Sequence, residues 1–175
     1  THYACRQATA HQMITAKKKR GGAPVGFLAE LDGVRAASII YLRMWHNGPE
    51  SQADVWTDLS SSLGAAHGRK ALKAFETLCS LCSQTGRRQL MLHALTCQCI
   101  GSDESCFANF IATAATGEHE DAMLIATLLV RPDIGPIITS LAVDFGLALM
   151  LMNLRAPKDL DDDTNNRQSH LTTLH

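Results

Sequence analysis

Aromatic residues make up only 5% of this 175-residue chain. A core short of rings is filled by leucine, alanine and other aliphatic side chains, which suits closely packed helices. Sustained apolar–polar alternation is absent, so the domain reads as all-α rather than as a sandwich or barrel. Net charge is nearly absent at -1, which argues against a protein that coats nucleic acid along its whole surface. There is no charged-then-apolar-then-small leader pattern. None of G-x-x-x-x-G-K-[ST], H-E-x-x-H or G-x-S-x-G occurs, so phosphate-loop, zinc-protease and serine-hydrolase chemistry have no motif to rest on. No paired carboxylates stand out in an expected cleft, and the enzyme classes are left without a candidate catalytic residue.

What is present is a globular composition, 46% hydrophobic and 19% charged, in a length that suits one domain with a core of its own. The charge is unevenly placed. Residues 1–22 hold Arg6, Lys17, Lys18, Lys19 and Arg20 and no acid, whereas residues 23–154 hold eight bases against thirteen acids. The expected organisation is a basic flexible arm over 1–23, a helical domain over 24–154 and a polar, disordered tail over 155–175. Lys17, Lys18, Lys19 and Arg20 are the candidate contact for an acidic surface or nucleic acid; the alternative is a solvated leader. The chain starts at Thr1, so a preceding segment of the gene product is expected to be missing or processed.

The domain reads as a bundle of about six or seven short helices. The first is expected over 27–46 and stops at Asn47-Gly48-Pro49. The second covers 50–63. The third covers 69–85, with Leu72, Phe75, Leu78, Cys79 and Cys82 on its apolar stripe, and is expected to close at a left-handed Gly86. A fourth covers 87–100. Ser102 caps a fifth, with Asp103 and Glu104 favoured by the dipole in its first turn and Cys106, Phe107, Phe110, Ile111 and Ala114 inward. The sixth, 118–130, is apolar on nearly all sides, as a central core helix would be. The seventh follows Pro132, with Asp133 as its cap, and runs to about Asn153. Residues 134–154 are long enough to span a bilayer. A central Asp144 costs about 2.5–3.5 kcal/mol there, so a packed helix is expected, with a membrane-associated hairpin over 122–154 as the alternative.

The stretch CSLCSQTGRRQLMLHALTCQC, residues 79–99, holds four of the six cysteines and a histidine. If the third and fourth helices form a hairpin about Gly86, positions equidistant from the turn face each other. Cys79 and His93 each lie seven residues from Gly86. Cys82 shares a face with Cys79, and Cys97 shares one with His93. Cys79, Cys82, His93 and Cys97 then converge as a candidate zinc set, thiolates with a neutral imidazole. Cys99 or Cys106 is a possible substitute member. The alternative is a core that uses thiols as small hydrophobes. A second chemistry is thiol-based redox at Cys106, whose place near a helix start would favour its thiolate, with Cys99 as a further candidate or with a disulfide between Cys79 and Cys82.

With its Cys-x-x-Cys pair, Leu90, His93 and Cys97, residues 79–97 resemble a zinc finger of the CCHC kind, which implies a structural zinc. ALKAFETLCSLC, GSDESCFANF and ATLLVRPDI together resemble small uncharacterised helical proteins of alphaproteobacteria, which implies a bacterial cytoplasmic setting and no particular activity. Three functional expectations follow. The first is a non-enzymatic helical interaction module with a protein partner, stiffened by zinc. The others are a thiol-based redox protein or sensor, and a membrane-associated accessory protein. Glu118 to Asp121 reads as a helix start; His67-Gly68-Arg69-Lys70 and Arg87-Arg88 are weak phosphate candidates at expected helix starts.

Overall fold

The computed structural model describes residues 20–155, so Lys17, Lys18 and Lys19 of the basic arm and the tail from 156 onward lie outside the described residues. The expectation of an all-α fold holds. Among the described residues there are six α-helices and a sheet of two strands. The helices are α1 (Gly33–His46), α2 (Pro49–Leu63), α3 (Ala65–Thr85), α4 (Ser102–Ala115), α5 (His119–Leu129) and α6 (Gly135–Arg155). The strands are β1 (Pro24–Phe27) and β2 (Cys99–Gly101), paired antiparallel with Phe27 opposite Cys99 and Pro24 opposite Gly101.

Local chemistry explains most boundaries. The Asp32 carboxylate accepts the Arg35 amide and caps α1. Gly48 at φ +121° turns the chain, and Pro49 opens α2 where its missing N–H is not needed. Gly64 at φ +84° makes the corner between α2 and α3. Gly117 at φ +87° follows the end of α4. The core is a stack of few rings among many aliphatics. Phe75 of α3 stacks on Phe145 of α6 at 4.5 Å between centroids, and Trp45 meets Phe75 edge-on at 5.5 Å. Phe107, Phe110 and Ile111 of α4 complete it. A smaller cluster of Ile39, Ile100 and Ala108 joins the sheet to α1 and α4.

Several expectations are corrected. The first helix starts at Gly33; Pro24–Phe27 is strand and Leu28–Glu30 a 3-10 turn. The third helix starts earlier, at Ala65, and the α4 cap position is Gly101 rather than Ser102. The helix expected over 87–100 does not form: the chain runs irregularly from Gly86 into β2. Gly86 is extended, φ -63° and ψ 146°, rather than left-handed. Its role is room, since a Cβ there would lie 2.3 Å from the Cys82 carbonyl oxygen. The chain therefore leaves α3 straight, bridging to Val130, and no helical hairpin is made.

Of the two apolar helices, α6 is a core helix that packs against the other five described α-helices, whereas α5 is not central. α5 buries Ala122, Ala126 and Leu129, yet Leu124 and Leu128 are each 67% exposed. α6 buries Ile138, Ala142, Phe145 and Leu149 and turns Ile137, Leu147 and Leu151 outward. Residues 132–154 are long and apolar enough to cross a membrane by length and composition. Asp133 does not cap α6 with its carboxylate, which pairs with Arg131 at 3.1 Å.

Candidate functional site

Residues 87–97 lie in no helix or strand, and two carboxylates and one guanidinium supply partners for their backbone. Arg43 of α1 and Glu104 of α4 form an ion pair with side chains 1% and 0% exposed. All five N–H donors of the guanidinium have partners. Two go to the Glu104 carboxylate, at 2.7 and 2.9 Å. The others go to the carbonyls of Ala94, Cys97 and Cys99, at 3.3, 2.6 and 2.7 Å. Glu104 in turn accepts the amides of His93 and Gly101, at 2.9 and 2.7 Å. Burial pushes its carboxyl up, but the Arg43 hydrogen bonds, the two amides and the Arg43 charge outweigh burial and hold it below the usual range.

A second pair holds the start of the segment. Arg88 grips Asp103 with two hydrogen bonds of 2.6 Å, and Asp103 also accepts the Met91 amide at 2.8 Å. Gly21 lies under this pair, and a Cβ on it would meet the Asp103 carboxylate at 2.1 Å. Ser102 donates to the carbonyl of Arg20 at 2.9 Å. Residues 20–22 are thus fastened to the segment 88–104, and Arg88 is engaged within the protein rather than presented to a phosphate.

This frame brings His93 and Cys97 together. The Cys97 Sγ lies 3.6 Å from Nδ1 of His93, and Nε2 of His93 lies 2.8 Å from the Gly22 carbonyl oxygen. A carbonyl only accepts, so Nε2 carries a proton in either charge state, and Nδ1 is left for the sulfur. Burial opposes the Cys97 thiolate, but hydrogen bonds from His93 and from the backbone and thiol of Cys99, with the His93 charge, outweigh it; the Cys97 pKa is lowered. Burial likewise opposes the imidazolium, yet the Gly22 carbonyl, Cys97 and the Glu104 charge raise the His93 pKa. Both shifts favour a thiolate–imidazolium pair. Cys97 is half-buried, and Ala94, Leu95, Thr96 and Gln98 around it are exposed.

The four expected zinc ligands do not come together. Among the described residues, no group of three or more His, Cys, Asp or Glu side chains is arranged to hold a metal ion. His93 and Cys97 form their pair in the irregular segment, while Cys79 and Cys82 sit in the helical core, 4% and 5% exposed. Burial and the neighbouring Cys82 push the Cys79 thiol well up. Burial and Cys106 push Cys82 to about 12. Cys106 does not gain from its helix start: burial and the Asp103 charge raise its pKa, with Arg88 only partly offsetting them. No disulfide joins the cysteines among the described residues. Cys99 is buried beside Cys97. Arg20 is exposed at the edge of the described region. Lys70, the other phosphate candidate, pairs with Asp144 at 3.4 Å.

Sequence reasoning missed Arg43 and Glu104. No local signal links residues 61 apart, and Glu104 has a sufficient local explanation as an acid in the first turn of a helix. No family model, curated protein or solved structure matches the chain.

Proposed function

We propose that this is a thiol-based redox protein whose reactive group is Cys97, acting in a reducing, cytoplasmic setting. The observation that carries this reading is the 3.6 Å contact between Cys97 Sγ and His93 Nδ1, with the imidazole oriented by the Gly22 carbonyl. A nucleophile, a base and a group that orients the base are the parts an activated thiol needs. The other core thiols, Cys79, Cys82 and Cys106, all have raised pKa values and serve packing. Cys97 is the sulfur so activated, with His93 as its base and Glu104 and Arg43 as its support.

The test is site-resolved alkylation by iodoacetamide at neutral pH. Cys97 is expected to react faster than an unperturbed thiol, since a lowered pKa raises the thiolate fraction at neutral pH. Equal, slow labelling of Cys97 and Cys106 sinks the reading.

The exposure of Leu124, Leu128 and Ile137 favours a second reading, a helical interaction module that meets a protein partner through α5 and α6. In that case Leu124→Asp weakens partner binding and leaves Cys97 labelling unchanged.

A further inference from the structure

We propose that the groove between α3 and α6 is a docking site for an acidic segment, and that its occupant is residues 159–163 of this chain, folded back along α6. The inference is independent of Cys97.

The groove gathers positive charge on an otherwise acidic domain. It is lined by Arg69, Lys70, Lys73 and Thr77 of α3 and by Leu141 and Asp144 of α6. Positions 69, 70, 73 and 77 recur at three- and four-residue spacing, so one face of α3 carries them all. Residues 23–154 hold eight bases against thirteen acids, and three of those eight stand here. Four of the others, Arg35, Arg43, Arg88 and Arg131, are held in ion pairs elsewhere. Lys70 meets Asp144 at 3.4 Å and Lys73 meets Glu76 at 3.2 Å, with both lysines well exposed. Exposed pairs of this kind are weak, and each ammonium group has donors to spare for a further carboxylate. Three cations face one lining anion, so the groove favours a negatively charged occupant.

The sequence past α6 supplies one. Asp159, Asp161, Asp162 and Asp163 place four carboxylates in five residues around Leu160. These positions lie outside the described residues, and their reach is set by the end of α6 at Arg155. Along the helix Asp144 stands about 16 Å from that end, at 1.5 Å per residue. Residues 156–163 span about 26 Å when extended, enough to turn and return to Lys70 and Lys73. Pro157 lacks the N–H that a continued helix would use. The return path is apolar. Leu147 and Leu151 follow Asp144 by three and seven residues on one face of α6, Leu154 comes next, and all three are exposed. In this arrangement Leu160 covers the leucines and the aspartates reach the lysines beyond them.

The experiment treats the full 175-residue chain with a water-soluble carbodiimide, which joins a carboxylate to an amine in contact with it, and maps the links by mass spectrometry. The Lys73–Glu76 pair is the internal standard. The expected product is an amide between one of the four aspartates and Lys70 or Lys73, in chains of monomer mass. That link is expected to be lost in about 1 M salt, where charges are screened beyond about 3 Å. Arg69→Gln removes a cation but no amine, and is expected to lose most of the link while the standard is unchanged. Circular dichroism establishes that the variant is folded before it is scored. Aspartates left unlinked while the standard forms overturn the docking. Links from them to Lys17, Lys18 or Lys19 overturn the groove as their site. Links found only in covalent dimers assign the segment to a second copy and overturn the return within one chain. An unchanged yield in Arg69→Gln overturns the match of charge.

Discussion

Arg43 and Glu104 meet through two hydrogen bonds of 2.7 and 2.9 Å, with neither side chain accessible beyond 1%. Bringing two charges out of water is costly unless the geometry satisfies both ions. Here the guanidinium uses every donor, and each carboxylate oxygen accepts from both Arg43 and a backbone amide. The pair holds a helix-free segment in one conformation, and Cys97 with it.

Removing either partner leaves the other charge buried and releases backbone groups of 93–101. Arg43→Met or Glu104→Gln is expected to cost about 3–5 kcal/mol by urea denaturation. The Glu104 pKa is lowered in the fold, so its contribution is present above the unfolded value of 4.5 and is lost as pH falls through the folded value. Wild-type stability is therefore expected to decline in acid, and the decline to be shallower in Glu104→Gln. Equal slopes in the two proteins would remove Glu104 from the account.

The His93 imidazole has a raised pKa, so the sign is the opposite. Its contribution is complete below the unfolded value of 6.5 and is lost as pH rises through the folded value. The stability difference between wild type and His93→Ala is expected to be largest at mildly acidic pH and to shrink above it. In the same variant the midpoint of Cys97 alkylation moves up in pH, because the hydrogen bond and positive charge that favour the thiolate are gone. An unmoved midpoint would dissociate the histidine from the thiol.

Gly146 allows α4 and α6 to approach closely. A Cβ there would lie 2.7 Å from the Ala115 Cβ and 2.9 Å from the Ile111 carbonyl oxygen. Gly146→Ala is expected to cost about 1–3 kcal/mol through overpacking, read as a lowered midpoint in calorimetry. Phe75→Ala, at the centre of the ring stack, is expected to cost about 3–5 kcal/mol.

Leu124 and Leu128 look like core in the sequence and are two-thirds exposed in the fold. Serine at both positions is expected to change stability by no more than about 0.5 kcal/mol, checked by the same denaturation. A large loss would place them under a covering surface in solution.

The sequence was legible where punctuation and period agree. Gly48-Pro49, the acids after Ser102 and Pro132 mark real helix starts, and Phe75, Phe107, Phe110 and Ile111 lie inward as their spacing implies. It misled where local preference was overruled. Residues 87–100 carry good helix formers, but Glu104, Asp103 and Arg43 bind the backbone groups that a helix would pair within itself. Strands of four and three residues are too short to show alternation. The spacing of His93 and Cys97 did place them together, although through an irregular turn rather than a helix face. The orienting contact is to a carbonyl 71 residues away, which no spacing rule reaches.

That last separation sets when the site can exist during synthesis. Helices α1, α2 and α3 follow one another along the chain and close over short distances. The pairing of Phe27 with Cys99 and the contact from His93 to Gly22 must close loops of more than seventy residues. Such long-range closures cost more chain entropy and come late in assembly. The contacts of His93 with Gly22 and Cys97, and the lowered Cys97 pKa that depends on them, therefore arise only once the start of the domain has met its middle.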